Sequence, residues 1–324
     1  MNLHTSPCNL CPRECGADRD AGEKGYCRAD SSIYVARAAL HYWEEPCISG
    51  KGGSGTVFFS GCNLRCVYCQ NHEIASGGAG KPVTVERLAE IFLELQDKGA
   101  ENINLVTPDH YVTAVAEAVR QAKEQGLFLP IVYNGSGYEK PEAIRSLAGI
   151  VDVFLTDFKY MDASLAEKFS HAPDYPERAK RALHEMVYII QNGPFDMDTH
   201  GHTVYITSNS GRPALCFDDN GMLRRGVIVR HLLLPGHKKN AKDVIRYVYE
   251  TYGDSVILSI MNQYTPVSGI TERTDCKELY RKVTRREYEA VVEYAIGLGV
   301  KNALIQEGDT AKESFVPAFD GEGV

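Results

Sequence analysis

The chain has 324 residues, of which 44% are apolar and 24% are charged, and its formal net charge is −8. These values are typical of a globular protein and leave room for one large α/β domain with a small appendage. The acidic balance, the lack of a basic tract and the lack of 18 consecutive apolar residues argue against a nucleic-acid partner and a membrane span.

The sequence contains ten cysteines, and its first residues show no basic and apolar signal region. A reducing cytosol keeps thiols free, so these cysteines predict metal ligands rather than disulfides. We therefore expect a cytoplasmic protein.

Four of the cysteines lie within the first thirty residues: Cys8, Cys11, Cys15 and Cys27. Few apolar residues accompany them, and nearby glycines would let the chain turn tightly around a metal. Four thiolates suit either a zinc ion or an auxiliary iron–sulfur cluster, and the spacing does not separate the two. Reduced cysteines in a loosely ordered arm are the alternative. We predict a metal-binding extension with its connector over 1–50 and a core domain over 51–324. The stretch that looks like the connector begins at residue 31 and continues to 54, where it leads into the core domain.

From residue 56, short apolar runs alternate with amphipathic stretches, which is typical of strands that alternate with helices. The predicted strands cover 56–59, 102–106, 129–133, 151–155, 227–234 and 256–261. The predicted helices cover 84–98, 111–125, 141–148, 176–191, 241–251 and 285–298. Thr84 is a candidate N-cap for the first helix, and Thr284 with Glu287 has capping-box spacing at the last. This order predicts a parallel sheet that curls into a partial (β/α)6 TIM-like barrel.

A cysteine-rich loop follows the first predicted strand and carries Cys62, Cys66 and Cys69 in the spacing CxxxCxxC. One such loop can supply three thiolates to an iron–sulfur cluster, and a four-iron cluster with three cysteines keeps one iron open to another ligand. A zinc knuckle or a buried core is the alternative, although zinc ligands usually come as two pairs. The loop therefore indicates a reactive cluster.

Polar residues follow the other predicted strands. Asn134 comes after the third strand, Asp157 and Lys159 after the fourth, His237 after the fifth and Gln263 after the sixth. Catalytic residues of such barrels lie at the carboxyl ends of the strands. We expect these side chains to converge on one face with the cysteine loop.

The stretches Cys8–Cys15, Gly61–Asn71, Asp157–Lys159 and Leu234–Gly236 together resemble radical S-adenosylmethionine (SAM) proteins described as pyruvate formate-lyase activating enzyme-like. The resemblance implies a radical SAM barrel in which a [4Fe-4S] cluster binds SAM through its open iron. One electron then cleaves SAM to a 5′-deoxyadenosyl radical. In the activating enzymes this radical takes a hydrogen from a glycine Cα of a partner enzyme.

By this resemblance, Cys62, Cys66 and Cys69 hold the catalytic cluster, and Tyr68 lies against the adenine. Asp157 and Lys159 resemble the acid–lysine pair next to SAM, with a surface ion pair as the alternative. Asn134 and Gln263 are assigned to SAM only by their strand-end positions, and turn capping is the alternative for each. The implied partners are a glycyl radical enzyme-like protein substrate and a flavodoxin- or ferredoxin-type electron donor.

Three features depart from the activating enzymes. Val106–His110 stands where they carry a Gly-Gly-Glu motif that meets the SAM amino group, so Thr107 or Asp109 would have to substitute for it. The N-terminal cysteines are absent from the simplest activating enzymes. The segment 193–219 resembles an insertion; its His200 and His202 could bind a metal with Asp196 or Asp198, although a solvated loop is the simpler interpretation.

These departures leave a second enzymatic hypothesis, in which the radical modifies a small molecule or another protein site. The N-terminal cysteines would then serve as an electron relay or a partner dock. A redox sensor or scaffold that carries an iron–sulfur cluster or zinc is the non-enzymatic alternative. Among the remaining residues, we expect Trp43 to be a core or domain contact, and His231 to be a hydrogen-bonded core histidine. Cys47, Cys216 and Cys276 have no partner at a recognisable spacing, and we expect them to be small buried residues.

Overall fold

The structure is a computed structural model that describes residues 3–193, 203–207, 213–306 and 316–324, with the backbone alone for 203–207 and Pro213. Its strands are β1 Ile33–His41, β2 Ser54–Phe59, β3 Lys81–Val83, β4 Ile103–Val106, β5 Ile131–Gly135, β6 Val153–Asp157, β7 Thr203–Thr207, β8 Pro213–Asp218, β9 Leu223–Leu232, β10 Ile257–Met261 and β11 Ala303–Ile305. Its α-helices are α1 Pro46–Ser49, α2 His72–Ala75, α3 Val85–Asp97, α4 Val112–Glu124, α5 Pro141–Arg145, α6 Ala163–Ser170, α7 Tyr175–Asn192, α8 Lys238–Tyr252 and α9 Arg285–Leu298.

The centre of the molecule is a parallel sheet in the order β2-β4-β5-β6-β9-β10-β11. Its central strands β4 and β5 are buried at every position, as expected for a parallel sheet that is covered on both faces. Over the described ranges, the sheet begins at β11 and ends at β3, so its two outer strands do not pair with each other. The structure confirms the predicted α/β fold with a partial barrel.

The six predicted strands and six predicted helices are all present, with ends that shift by a few residues. Their caps explain where two helices begin. The Thr84 hydroxyl accepts a hydrogen bond from the Arg87 amide at 3.1 Å, and Thr284 with Glu287 forms the predicted capping box. No helix in the described ranges combines the length and apolar character needed to cross a membrane.

The predicted connector over 31–54 was wrong for its first part, because β1 occupies Ile33–His41. β1 pairs antiparallel with β2 from Val35↔Phe59 to His41↔Ser54, and also with β3. Its sequence neither alternates strictly nor forms one unbroken apolar run, because Arg37 interrupts it. The division at residue 50 stays a prediction, although this pairing joins residues on its two sides in one sheet.

The predicted insertion over 193–219 contains the strands β7 and β8, which pair antiparallel, and β8 also pairs with β9. These two strands lie outside the parallel strand order of the central sheet. Asp196, Asp198, His200 and His202 lie outside the described residues, so the suggested metal site in this segment is a prediction only.

Two arginines attach the N-terminal extension to the barrel. Arg19 is 1% exposed and donates hydrogen bonds to the carbonyl oxygens of Asp30 at 2.9 Å and His110 at 2.8 Å. Arg13 donates to the carbonyl oxygens of Asn63 at 2.8 Å and Ser170 at 3.1 Å. Because Asn63 belongs to the cysteine loop, the extension packs directly beside that loop.

Candidate active site

The cysteine loop begins with a sharp turn after β2. Gly61 has φ +95°, a left-handed conformation that favours glycine, and a Cβ at this position would lie 2.5 Å from the carbonyl oxygen of Cys27. The Cys62 amide donates a hydrogen bond to that same oxygen at 3.2 Å. Beyond this turn, Cys62, Cys66 and Cys69 all line one pocket at the carboxyl ends of the parallel strands, which we call the cysteine-loop pocket.

We expect Gly61→Ala to be destabilising, because the new methyl group would meet a backbone oxygen that has no side-chain freedom to move. Gly99→Ala is the matched control: Gly99 has φ +85°, but a Cβ there would meet nothing within 4 Å. Both variants carry the strain of a left-handed residue, while Gly61→Ala alone adds overpacking of about 1–3 kcal/mol. Chemical unfolding of the two variants measures the difference. Equal losses would contradict the proposed close contact with Cys27.

Asp157 and Lys159 form an ion pair inside the pocket. The Lys159 Nζ lies 2.5 Å from Asp157 Oδ2, and the two side chains are 18% and 19% exposed, so this is not a surface ion pair. Burial alone would raise the pKa of Asp157, but Lys159 and Arg230 outweigh it and the net shift is downward. Burial opposes the charge on Lys159, but Asp157 outweighs that effect and raises the pKa of the amine. Both side chains are therefore charged at neutral pH.

Arg230 connects this ion pair to a buried polar network that the sequence did not predict. Its Nε donates to Asp157 Oδ1 at 3.0 Å, its Nη1 to Glu44 Oε2 at 3.2 Å and its Nη2 to Asn134 Oδ1 at 2.6 Å. The Asn134 amide in turn donates to Glu44 Oε1 at 3.2 Å, so it does not cap a turn. The sequence does contain one signal for this network: Arg230 lies inside the apolar run of β9, and a charged side chain buried there must be paired.

Three further predicted residues line the same pocket. Thr107 has φ +59°, which is uncommon for a residue other than glycine and marks local backbone strain. The Gln263 Oε1 atom accepts a hydrogen bond from Gln306 at 2.7 Å. Tyr68 is 6% exposed, and its hydroxyl accepts a hydrogen bond from the Tyr160 hydroxyl at 2.8 Å. Asp109, the other suggested substitute for the Gly-Gly-Glu motif, is not among the residues that line the pocket.

Comparison with known proteins identifies the family. Residues 56–188 match the family described as the Radical SAM superfamily, and this match includes the cysteine loop, Asp157 and Lys159. Residues 56–188 are a radical SAM region. Membership implies a [4Fe-4S] cluster and SAM as cofactors. The residues present fit these groups, because three thiols share one cavity with polar side chains of both charges.

Three relatives extend the similarity. An uncharacterized protein of Methanocaldococcus jannaschii is 27% identical over 297 residues, which cover 89% of this chain and 74% of that protein. The pyruvate formate-lyase-activating enzyme of Clostridium pasteurianum is 30% identical over 124 residues, 36% of this chain and 49% of that enzyme. The pyruvate formate-lyase 1-activating enzyme of Escherichia coli K12 is 26% identical over 167 residues, 48% of this chain and 68% of that enzyme. The match thus spans about half the length of the Clostridium enzyme.

The N-terminal cysteines lie near one another. A Cβ at Gly25 would be 3.1 Å from Cys15 Sγ and 3.7 Å from Cys27 Sγ. Burial raises the pKa of Cys11 to about 12, and the charges of nearby groups, including Cys27 and Cys8, add to this shift. Within the described residues, no group of three Cys, His, Asp or Glu side chains is arranged to hold a single metal ion. Metal binding by Cys8, Cys11, Cys15 and Cys27 stays a prediction.

Several other residues that the sequence analysis singled out do not line the cysteine-loop pocket. His231 is 1% exposed and its Nδ1 lies 2.7 Å from the carbonyl oxygen of Phe158, which makes it the core histidine that the sequence predicts. His237 is not among the residues that line the cysteine-loop pocket. The prediction for Trp43 was wrong: the residue is 59% exposed, because it lies in the turn between β1 and α1. Cys216 and Cys276 are buried as expected, and Cys47 is half-buried.

Proposed function

We propose that this protein forms a 5′-deoxyadenosyl radical from SAM and uses it to abstract a hydrogen atom from a glycine of a partner protein. Cys62, Cys66 and Cys69 would hold the [4Fe-4S] cluster. The observation that carries the proposal is that these three thiols share one pocket with the ion pair of Asp157 and Lys159. When bound, the cluster supplies the electron for reductive cleavage of SAM.

The other lining residues would bind and orient SAM. Lys159 offers a charged donor to a carboxylate, and Asp157 offers a charged acceptor to an amine or a hydroxyl. Thr107 lines the pocket, and it stands in the sequence where the Gly-Gly-Glu motif is missing. Asn134, Gln263 and the ring of Tyr68 complete the proposed contacts, and apolar lining residues such as Phe59, Leu64 and Ile74 would exclude water from the radical.

Two features support a glycine in a protein as the substrate. The chain is similar to two pyruvate formate-lyase activating enzymes, although over no more than half of its own length. The sheet is also open within the described residues, because its outer strands β11 and β3 do not pair with each other. An open side of the barrel would admit a peptide loop to the pocket.

The reduced, cluster-reconstituted protein should generate a glycyl radical when it is mixed with SAM and its partner. We expect a glycyl signal in electron paramagnetic resonance with at least one of the glycyl radical enzymes encoded in the same genome. Omission of SAM is the control and should give no signal. Silence with all such partners, from a preparation that forms 5′-deoxyadenosine, would remove this substrate class.

The N-terminal cysteines support a second role, as an electron relay. Cys27 contacts the cysteine loop directly, because its carbonyl oxygen accepts the hydrogen bond of the Cys62 amide at 3.2 Å. An auxiliary cluster on Cys8, Cys11, Cys15 and Cys27 would therefore lie beside the catalytic one, between it and a flavodoxin- or ferredoxin-type donor. Metal analysis of a full-length variant with Cys62, Cys66 and Cys69 all changed to Ala tests this. Iron with sulfide supports a relay, whereas zinc excludes it.

A further inference from the structure

A positively charged surface lies beside the cysteine loop, outside the cysteine-loop pocket. It consists of Arg13 and Tyr26 from the N-terminal extension, Arg65 from the cysteine loop, His171 at the end of α6, and Arg273 from the segment after β10. We call it the arginine patch. These five side chains are not among the residues that line the cysteine-loop pocket, so a partner on the patch would not occupy that pocket.

Contacts between its members hold the arginine patch together. The centroid of the Tyr26 ring lies 4.3 Å from Arg13 Cζ and 5.1 Å from Arg65 Cζ, within the range of a cation–π contact for each. Arg13 also donates a hydrogen bond to the carbonyl oxygen of His171 at 2.5 Å. Partial burial lowers the pKa of His171, and the positive charges of all three arginines lower it further. The three guanidinium groups therefore act on one small region of the surface.

The arginine patch carries more positive charge than its neighbours neutralise. Arg273 pairs with Asp275 at 3.1 Å, but within the described residues the other two arginines of the patch form no ion pair with a carboxylate. Glu14, next in sequence to one of them, pairs with Lys140 instead. This excess stands on a chain whose formal net charge is −8. Like charges held close together repel one another, and an anionic partner would relieve that repulsion.

Short contacts connect the arginine patch to the proposed cluster site. Arg13 donates to the carbonyl oxygen of Ser170 at 3.1 Å, and the Ser170 hydroxyl donates to Cys66 Sγ at 2.9 Å. Arg65 directly precedes Cys66, and its φ of +58° is a left-handed conformation that is uncommon outside glycine and is found most often at functional sites. A protein bound to the patch would therefore lie next to a thiol that is proposed to hold the cluster.

We propose that the arginine patch docks the acidic face of the protein that reduces the cluster, a small electron carrier of the flavodoxin or ferredoxin type. This inference rests on the proposed function, because it names the surface through which the proposed cluster would receive its electron. In this step the reduced carrier loses one electron, the cluster gains it, and no atom is transferred. Electron-transfer complexes have small interfaces, so opposite charges that steer the two proteins together matter more than a large apolar contact. The protein substrate is the less suitable occupant, because it must reach the cysteine-loop pocket and the patch lies outside it.

Binding of the carrier tests this inference without any catalysis. The probes are the flavodoxins and ferredoxins encoded in the same genome, each titrated in its oxidised form into the cluster-reconstituted protein by isothermal titration calorimetry. We expect at least one of them to bind, and its affinity to fall as salt is raised from about 10 mM to about 150 mM, because salt screens exposed charges. Polyglutamate should bind more weakly than this carrier. No binding at low salt, an affinity independent of salt, or equal binding of polyglutamate would each overturn the inference.

Variants test whether the arginines are responsible. Arg65→Gln and Arg273→Gln should each weaken binding about threefold and the double variant about tenfold, whereas Arg65→Lys, which keeps the charge, should retain most of the affinity. Arg120→Gln is the matched control: Arg120 is 53% exposed and pairs with Glu117 on α4, so its loss should leave the affinity unchanged. Circular dichroism melts and iron content check that each variant is folded and carries the cluster. An unchanged affinity in the folded double variant would refute the role of the arginine patch.

Two reductants separate this inference from the proposed function. With dithionite, a small molecule that needs no docking surface, the double variant should form 5′-deoxyadenosine from SAM as fast as the wild type. With a limiting amount of the reduced carrier, it should form the product about tenfold more slowly. Equal rates with the carrier would refute the docking surface and leave the proposed function standing. If the wild type forms no product with either reductant but binds the carrier in a salt- and arginine-dependent way, the proposed function fails and the docking surface stands.

Discussion

Cys66→Ala should form no 5′-deoxyadenosine above background when the reconstituted protein is reduced with dithionite and given SAM without oxygen. The wild-type protein should form it. Cys66 lines the cysteine-loop pocket, and its sulfur accepts a hydrogen bond from the Ser170 hydroxyl at 2.9 Å. Loss of this thiol would leave two of the three proposed thiolates, and a four-iron cluster on two cysteines lacks the ligand that positions its open iron. Iron content should fall by about four per chain.

Cys276→Ala is the matched control for this prediction. Cys276 is fully buried in the core and does not line the cysteine-loop pocket, so its loss should reduce stability without reducing cluster iron or product. Product from Cys66→Ala at the wild-type level would contradict the assignment of the loop. No product from a wild-type protein that carries the cluster would mean that cleavage requires the substrate, or that the sensing hypothesis becomes the stronger one.

The parts of the fold that the sequence predicts well are those with a local cause. A buried strand followed by an amphipathic helix repeats from β2 to α9, and each unit can be recognised within about twenty residues. β1 was missed because Arg37 interrupts its apolar run and because the glycine-rich stretch and Trp43 after it look like a linker. That β1 pairs with the predicted strand β2 becomes evident only from the structure.

In the candidate site, too, the residues that could be predicted are those with a local signal in the sequence. Asp157 and Lys159 could be predicted, because polar residues at the carboxyl ends of barrel strands point to the catalytic face. The pair of Arg230 and Glu44 could not: an arginine inside an apolar strand must have a partner, but Glu44 is 186 residues away in sequence and nothing local identifies it. Glu45 looks in sequence like any exposed acid before a proline. Only its burial beside β10, in the segment after β1, leaves its Oε2 atom without a hydrogen-bond partner among the described residues.

Replacement of Arg230 by methionine should strongly destabilise the fold. The guanidinium is 16% exposed and bonds to carboxylates of Asp157 and Glu44 that are 19% and 10% exposed. Removal of one member of such a network leaves the others buried without compensation, which costs about 3–5 kcal/mol in the free energy of unfolding. Arg246→Met is the control: Arg246 is 50% exposed and pairs with Asp243 on the surface of α8, so its loss should cost at most about 1 kcal/mol.

The pH dependence of this destabilisation tests whether the buried carboxylates cause it. Burial already raises the pKa of Glu44 while Arg230 opposes the shift, so Arg230→Met should raise it further. A carboxyl group whose pKa is higher in the folded than in the unfolded state destabilises the fold as the pH rises above the unfolded value of about 4.3. Below that value it costs no stability. Asp157 acts in the same direction: because its pKa is lowered, its contribution to stability is fully present above about pH 4 and is lost as the pH falls further, and the variant loses part of that contribution.

The deficit of Arg230→Met should therefore be largest near neutral pH and shrink as the pH falls toward about 4.5. Chemical unfolding of variant and wild type at several pH values measures this difference directly. Adding Glu44→Gln to the variant should recover part of the loss, because it removes one of the uncompensated charges. A deficit that stays constant with pH would mean that lost packing of the arginine stem, and not the carboxylates, destabilises the protein.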